Sequence, residues 1–205
     1  MNQVAIIDYG MCNLDSVARA VEECGGMPLV TDKAKDIETA NRIILPGVGA
    51  FPEAMLNIRQ RSLDQILCEQ VLERRIPFLG ICLGMQLLAT KGWEGGEVEG
   101  LGWIEGDVRR LEPTEEDTRI PHIGWNEVNF VRDSPLSKGI PSSPDFYFVH
   151  SYHLSPYDER DIQATTPYGK GFVSAIQRDL IFGVQFHPEK SQRLGFQVLK
   201  NFLLV

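Results

Sequence analysis

The amino-acid sequence predicts an α/β protein, a single domain with a central, largely parallel sheet flanked by helices. First, short apolar runs alternate with helix-like segments over residues 4–45, which is typical of parallel strands joined by helices. Second, an apolar run at residues 77–88 changes from strand-like to helix-like at a cysteine between glycines. Third, short strand-like segments follow Thr90, so the second half is predicted to be rich in strands.

The elements of the first half follow from their periodicity. Strands are predicted at residues 4–8, 27–30 and 42–45, and helices at residues 14–24, 32–40, 52–60 and 62–75. The first helix has Asn13 as its expected N-cap and Gly25 as its stop. Because the carboxyl ends of parallel strands share one edge, the loops after Asp8, Leu45 and Ile81 should meet there.

The second half contains shorter elements. We predict strands at residues 106–111, 127–131 and 146–152, a hairpin of residues 171–176 and 180–186, a charged loop at residues 112–119 and a final helix at residues 191–203. The chain has no internal repeat, low-complexity tract or long linker. Residues 1–205 are therefore predicted to form one domain.

Composition excludes several classes of function. With 43% hydrophobic and 23% charged residues, the 205-residue chain is typical of a globular protein. Its net charge of -8 argues against a nucleic-acid partner. Cys12, Cys24, Cys68 and Cys82 form no C-x-x-C pair, which indicates reduced thiols. We expect a cytoplasmic protein without a membrane partner, because neither a targeting segment nor an apolar run of about 18 residues is present.

The segment Gly80-Ile81-Cys82-Leu83-Gly84 is a cysteine version of the nucleophile elbow. Glycines are needed on both sides of such a turn because a larger side chain would collide with the backbone. A thiol at the start of a helix is favoured as the thiolate by the unpaired N–H groups and the helix dipole. An isolated free cysteine is more often a small buried hydrophobe, so Cys82 needs a base to become a nucleophile.

His187 and Glu189 are the predicted base and its partner. They follow the apolar run 182–186, and in extended chain residues two apart point the same way. A histidine alone is more often structural, but thiol, imidazole and carboxylate together are the parts of covalent acyl transfer. The oxyanion donors are predicted to be the N–H groups of Val48 and Leu83. The glycine-rich loop 46–49 lacks the lysine and hydroxyl of a phosphate-binding P-loop.

The remaining histidines do not indicate a metal site. His150 and His153 should lie on opposite faces of a strand, which disfavours shared metal binding. His122 is interpreted as a loop or interface residue. Trp125 could equally belong to the core or to a contact surface.

Together these motifs resemble those of the class I (triad) glutamine amidotransferases, over nearly the whole chain. The motifs are Leu45-Pro46-Gly47-Val48-Gly49, Gly80-Ile81-Cys82-Leu83-Gly84-Met85-Gln86-Leu87-Leu88 and His187-Pro188-Glu189. Within that family, further motifs are similar to those of the glutaminase subunits of imidazole glycerol phosphate synthases: Asp8-Tyr9-Gly10 with Asn13-Leu14, residues 121–126, residues 146–152 and Glu189-Lys190-Ser191. Cys12 departs from the pattern, which expects a small residue there.

The resemblance implies hydrolysis of glutamine through a glutamyl thioester on Cys82, with no cofactor. The ammonia would pass to a partner, the (β/α)₈ cyclase subunit of imidazole glycerol phosphate synthase, in histidine biosynthesis. The glutamine contacts it implies are Gly47, Gly49, Gln86, Ser151 and Tyr152. The residues it places toward the partner are Asn13, Trp125 and Lys190.

Other interpretations remain open on the sequence. The same chemistry could feed a synthase that aminates a sugar in surface-polysaccharide biosynthesis. The chain could also be a non-catalytic partner module, or a stand-alone cysteine hydrolase that needs no partner. A further hypothesis is that, without the partner, one oxyanion N–H near Val48 points away from the site.

Overall fold

The protein is described by a computed structural model that covers residues 3–115 and 119–205. Its strands are β1 Gln3–Ile7, β2 Met27–Thr31, β3 Arg42–Gly47, β4 Phe78–Cys82, β5 Ala89–Gly92, β6 Val98–Glu99, β7 Ile104–Arg110, β8 His122–Glu127, β9 Asn129–Phe130, β10 Asp145–His150, β11 Tyr152–Pro156, β12 Ile162–Thr166, β13 Phe172–Arg178 and β14 Ile181–Val184. Its α-helices are α1 Leu14–Glu23, α2 Ala34–Glu38, α3 Phe51–Gln60, α4 Leu63–Cys68, α5 Leu83–Gln86 and α6 Gln192–Phe202.

The main sheet places β4 between β3 and β14. Its strand order is β2-β1-β3-β4-β14-β13-β12-β9, and the five strands from β2 to β14 are mutually parallel. Gly47 at the end of β3 lies opposite Cys82, and Val184 of β14 lies opposite Ile81. The segments that follow β3, β4 and β14 therefore leave the sheet side by side at one edge.

The predicted α/β architecture is confirmed, but several elements differ locally. The strand predicted over residues 127–131 falls on the end of β8 and on β9, and the strand predicted over residues 146–152 is divided between β10 and β11. The helix predicted over residues 62–75 is α4 followed by a π-helical turn at Glu69–Glu73. The helix after the elbow, α5, is a single turn. It ends early because the carbonyls of Leu87 and Leu88 accept the N–H groups of Leu101 and Trp103 instead of later helical ones. The predicted charged loop falls partly on residues 116–118, outside the described residues.

The strand-rich second half forms two smaller sheets beside the main one. One has the order β11-β7-β5-β6, and the other is the antiparallel pair of β8 and β10. The β8/β10 pair is tied to the segment that follows β14, because the N–H of His187 donates to the carbonyl of Tyr147 at 2.9 Å. Among the described residues, no helix is both long and apolar enough to cross a bilayer.

The elbow is held by backbone contacts that leave no room for side chains. Cys82 has φ 53° and ψ -108°, a backbone conformation that non-glycine residues rarely adopt. A Cβ atom on Gly80 would lie 2.6 Å from the carbonyl oxygen of Gly84. A Cβ atom on Gly84 would overlap the carbonyl oxygen of Leu45 on β3. The two glycines thus allow the turn to pack against both its own strand and the neighbouring one.

This packing predicts a large cost for Gly84→Ala. The methyl group meets backbone that cannot move aside, so we expect the free energy of unfolding to fall by about 3 kcal/mol. Gly25→Ala is the matched control, because Gly25 also lies in a tight turn, at φ +89°, but has open space around it. It should lose only about 1 kcal/mol. Urea denaturation measures both, and equal losses would contradict the argument from packing.

Candidate active site

A cavity of about 280 Å³ opens at the edge of the sheet where β4 ends. Its lining residues are Val48, Gly49, Cys82, Leu83, Gln86, Glu94, Pro121, Val149, His150, Ser151 and Tyr152. The expected meeting of the loops after β1, β3 and β4 is also observed, since the N–H of Val48 donates to the carbonyl of Met11 at 2.9 Å. Most side chains that the sequence singled out for substrate thus share one cavity with Cys82.

His187 and Glu189 form a buried pair beside this cavity. The distance from Nδ1 of His187 to Oε1 of Glu189 is 2.7 Å, and the two side chains are 3% and 2% exposed. The sequence predicted that the two side chains would point the same way from an extended chain, but the chain is not extended here. A 3-10 turn at Pro188–Lys190 folds the carboxylate back onto the ring. Because a carboxylate can only accept here, the Nδ1 atom carries a proton and Nε2 is the atom that can exchange one.

The electrostatics of His187 depend on Cys82. Burial by itself lowers the pKa of His187. The Cys82 sulfur and, to a smaller extent, the Glu189 carboxylate more than offset this effect and raise the pKa to about 10. Nε2 of His187 is buried and has no hydrogen-bond partner among the described residues. The ring therefore interacts with the sulfur mainly through its charge, and a weaker hydrogen-bond contribution from Cys82 adds to it. A protonated imidazole next to sulfur favours the thiolate of Cys82.

The sequence predicted that the dipole of the following helix would favour the thiolate of Cys82, but in the structure the charge of His187 is the larger influence on the sulfur. The dipole of a helix grows from aligned peptide groups, and α5 contains only four residues. Among the residues that the structure describes, no comparable cation acts on Cys12, a second thiol near this edge. Burial raises the pKa of Cys12 to about 11, and its Sγ lies 3.3 Å from the carbonyl oxygen of Pro46. Cys12 therefore stays a thiol at neutral pH.

The two predicted oxyanion donors differ in this structure. Leu83 begins α5 and lines the cavity next to the sulfur. The N–H of Val48, however, points toward the carbonyl of Met11 and away from the cavity. Gly47, one of the expected substrate contacts, packs instead over Tyr9, whose hydroxyl a Cβ atom on Gly47 would overlap. Gly49 has φ +107°, so the loop can change its peptide orientation at a residue without a Cβ atom.

Gln86 and Gln185 form an amide relay behind the sulfur. Nε2 of Gln86 donates to the carbonyl of Tyr152 at 2.7 Å and to Oε1 of Gln185 at 3.1 Å. Nε2 of Gln185 lies 3.5 Å from Sγ of Cys82. The sequence analysis did not select Gln185. The sequence did contain one sign of its role. Gln185 is a polar residue inside the apolar run 181–186, and it lies two residues before His187, so the two side chains are expected on the same face of a strand.

His122 and His150 are buried in the β8/β10 pair. Nδ1 of His122 lies 3.2 Å from Nε2 of His150, whose own Nδ1 lies 2.9 Å from the carbonyl oxygen of Tyr152. Burial lowers the pKa of His150 to about 3, so this ring is neutral at physiological pH. The interpretation of His122 as a loop or interface residue was wrong. Its ring is buried and stacks on that of Tyr168, in the turn between β12 and β13, at a centroid distance of 3.9 Å.

The expected geometry of His150 and His153 was also wrong. The chain breaks its strand at Ser151, between β10 and β11, so the spacing of three residues does not set opposite faces. Both rings pack against Phe172, at centroid distances of 4.7 and 6.0 Å. Both rings thus pack around one aromatic side chain, and His150 also lines the cavity.

Glu94 is a further cavity residue that the sequence analysis missed. It lies in the glycine-rich, acidic segment after β5, and its Oε2 accepts the N–H of Phe51 at 2.8 Å, at the start of α3. It is the acidic residue among those that line the cavity. No periodicity marks it, because its place depends on the contact of one loop with a helix from another part of the chain.

The three residues assigned to a partner surface are exposed. Trp125 is 48% exposed on β8, next to Ile123, which is 61% exposed, so Trp125 does not belong to the core. Asn13 and Lys190 are also exposed, and the Asn13 side chain does not cap α1 as expected. The ring of Trp125 contacts that of Tyr147 at 6.1 Å, and Tyr147 in turn binds the backbone of His187.

Comparisons with known proteins match nearly the whole chain to one family. The model of the family described as "Glutamine amidotransferase class-I" matches residues 5–205. The chain is 51% identical over 202 residues to imidazole glycerol phosphate synthase subunit HisH of Moorella thermoacetica, covering 98% of this chain and 94% of that protein. It is 48% identical over 199 residues to subunit HisH 1 of Campylobacter jejuni, covering 97% and 98%.

Solved structures share the fold. The crystal structure of a glutamine amidotransferase from Thermotoga maritima aligns with a TM-score of 0.65. That alignment covers 94% of this chain and 78% of that one, at 22% sequence identity. At so low an identity, the likeness supports the fold alone.

The charge coupling predicts how His187 titrates. Cys82→Ala removes the sulfur that raises the pKa of His187 and leaves the burial that lowers it, so the pKa should fall from about 10. Glu189→Gln should lower it as well. Chemical shifts of the imidazole carbon, followed by NMR over pH, measure each change. His150 is the internal control, because it should show no titration near neutral pH in any variant. An unchanged His187 titration in Cys82→Ala would contradict the coupling.

Proposed function

Because the chain belongs to the class-I glutamine amidotransferase family, we propose that it is the glutamine-hydrolysing subunit of an imidazole glycerol phosphate synthase. The observation that carries this proposal is the buried Cys82, at the edge of a small cavity, coupled by charge to the hydrogen-bonded pair of His187 and Glu189. These groups supply a nucleophile, a proton carrier and a residue that orients the carrier.

In the first step, the Cys82 thiolate attacks the side-chain amide carbon of glutamine. A sulfur–carbon bond forms, and the carbonyl electrons move to oxygen to give a tetrahedral oxyanion. His187, protonated on Nε2, then gives that proton to the nitrogen as the carbon–nitrogen bond breaks. Ammonia leaves, and a glutamyl thioester remains on Cys82.

In the second step, water releases glutamate from the thioester. The Nε2 atom of His187, now neutral, takes a proton from water, and the hydroxide formed adds to the carbonyl carbon. The carbon–sulfur bond breaks, and the thiolate of Cys82 is restored next to the imidazolium. Glu189 keeps the ring in the required orientation through Nδ1 in both steps.

The cavity supports a small zwitterionic substrate. Glu94 offers a carboxylate to the α-ammonium group of glutamine. The hydrogen bond from the N–H of Phe51 to one oxygen of this carboxylate holds it in place. The Oε1 atom of Gln86 can accept an N–H from the substrate, because the amide nitrogen of Gln86 donates elsewhere. Gly49, Ser151 and Tyr152 complete the predicted contacts.

Ammonia would pass to a cyclase subunit docked near β8 and β10. Aromatic side chains such as Trp125 are enriched at the centres of protein interfaces, and Ile123 extends the same apolar surface. Lys190 follows the catalytic turn directly, so a partner bound here would contact the segment that carries His187 and Glu189.

The orientation of Val48 supports control by that partner. While its N–H is bonded to the carbonyl of Met11, Val48 cannot stabilise the oxyanion. Rotation of the peptide that joins Gly47 to Val48 would exchange this bond for one to the oxyanion, and Gly47 has no Cβ atom to hinder it. Glutamine would then be hydrolysed rapidly only when the cyclase is ready to receive ammonia.

The nucleophile assignment is tested with Cys82→Ala in the complex with the cyclase. Glutamine-dependent synthesis should be lost, because no sulfur can attack the amide. Synthesis from an ammonium salt should persist, because it bypasses this subunit. Product formation measured with each nitrogen source distinguishes the two activities. Glutamine-dependent synthesis that survives in the variant would show that Cys82 is not the nucleophile.

Control by the partner is tested by measuring glutamine turnover with and without purified cyclase and its nucleotide ligand. Since one missing oxyanion donor costs about 10²-fold in rate or more, turnover should rise by that order in the complex. The complex that carries Cys82→Ala is the control for contaminating glutaminase. Equal turnover with and without cyclase would identify a stand-alone hydrolase, and activation by a sugar-aminating synthase instead would identify a different pathway.

A further inference from the structure

Gln185 lies between the nucleophile and a residue assigned to the substrate. It follows β14 directly and has no exposed surface. Its Nε2 atom is 3.5 Å from Sγ of Cys82, and its Oε1 atom is 3.1 Å from Nε2 of Gln86. Burying an amide is unfavourable unless its polar atoms are paired, and here both are paired with residues of the active site.

The neighbours of Gln185 determine which end of its amide faces the sulfur. The carbonyl of Tyr152 can only accept, so the atom of Gln86 that lies 2.7 Å from it is the amide nitrogen. The second N–H of that nitrogen then needs an acceptor, and Oε1 of Gln185 provides it. The nitrogen of Gln185 must therefore face Cys82. This orientation follows from hydrogen-bond pairing and does not depend on distinguishing oxygen from nitrogen.

Besides His187, two other polar groups among the described residues contact the sulfur, and they have opposite preferences. The carbonyl oxygen of Val149, 3.9 Å away, can only accept a proton and so favours the thiol form. The N–H of Gln185 donates to the sulfur and favours the thiolate. Because Gln185 is closer and hydrogen bonds to charged groups are stronger than neutral ones, the contribution of Gln185 outweighs that of Val149.

From this geometry we infer that Gln185 is an active-site residue that stabilises the Cys82 thiolate through its side-chain N–H and is oriented for this by Gln86. The inference rests on the proposed function, because it takes Cys82 as the nucleophile. It also gives Gln86 a second role. A substrate bound to Oε1 of Gln86 would fix the amide relay and so hold the sulfur at the position from which it attacks.

The test compares Gln185→Met, which keeps the length of the side chain without a donor, with Gln185→Glu, which keeps an acceptor for Gln86 but also lacks the donor. The readout is the rate at which iodoacetamide alkylates Cys82 in the full chain between pH 5 and 10, with the site identified by mass spectrometry. At pH 7 the rate should fall about tenfold in Gln185→Met. The midpoint of the pH profile should rise by about one pH unit. Gln185→Glu should show at least as large a change, because its carboxylate repels the thiolate.

Ser174→Ala is the matched control. Ser174 is fully buried, and its carbonyl accepts the N–H of Gln185 at 2.9 Å. Its side chain, however, is not part of the amide relay of Gln86 and Gln185 and does not line the cavity. Its alkylation profile should match that of the wild type, and thermal unfolding of all variants verifies that they are folded. In the cyclase complex, both Gln185 variants should also lose glutamine-dependent turnover.

Two results would overturn the inference. A wild-type alkylation profile in Gln185→Glu would show that Gln185 serves only to hold Gln86. A wild-type profile in Gln185→Met would show that it only fills space. If either occurs while Cys82→Ala still abolishes glutamine-dependent synthesis, the role of Gln185 is refuted and the proposed function stands. If glutamine-dependent synthesis survives Cys82→Ala, the proposed function itself fails.

Discussion

The site depends on the close approach of two backbones, the turn at Cys82 and the end of β3. Gly84 lies against the carbonyl of Leu45 with no space for a methyl group, and Cys82 adopts a positive φ at the same turn. This contact brings the sulfur to the edge of the sheet, beside the loop of Val48. A looser turn would leave Cys82 at the same point of the sequence but would move its sulfur away from His187 and from the loop of Val48. Functional sites are where such unfavourable backbone conformations are retained.

Three neighbouring strands then supply the remaining groups. β3 leads to the oxyanion loop, β4 to the thiol, and β14 to Gln185, His187 and Glu189. Because these strands are parallel and adjacent, their carboxyl ends need only short extensions to meet. The sulfur is supported by an imidazolium on one side and an amide N–H on another. Its electrostatic environment is therefore built from separate elements and owes little to the short helix that follows it.

The β8/β10 pair connects this chemistry to the outer surface. Its exposed face carries Trp125, while its backbone at Tyr147 holds the N–H of His187. On the other side of the sulfur, the N–H of Val48 is held by Met11, in the loop that precedes α1. A partner that contacts both loops could thus act on the base and on the oxyanion donor together. The arrangement is the physical basis of the proposed control by a partner.

The sequence by itself determined the alternation of strands and helices, the elbow at Cys82 and the candidate partners His187 and Glu189. These features are local, since they depend on periodicity and on glycines next to the residue they serve. Only the tertiary structure decided the place of Glu94, the burial of His122, the amide relay through Gln185 and the orientation of the Val48 N–H. Each of these depends on a contact between segments distant along the chain, and such contacts leave no periodic signal in one sequence. The turn at Pro188–Lys190 illustrates the difference: the pairing of His187 with Glu189 was predicted, but it arises from a folded turn and not from an extended strand.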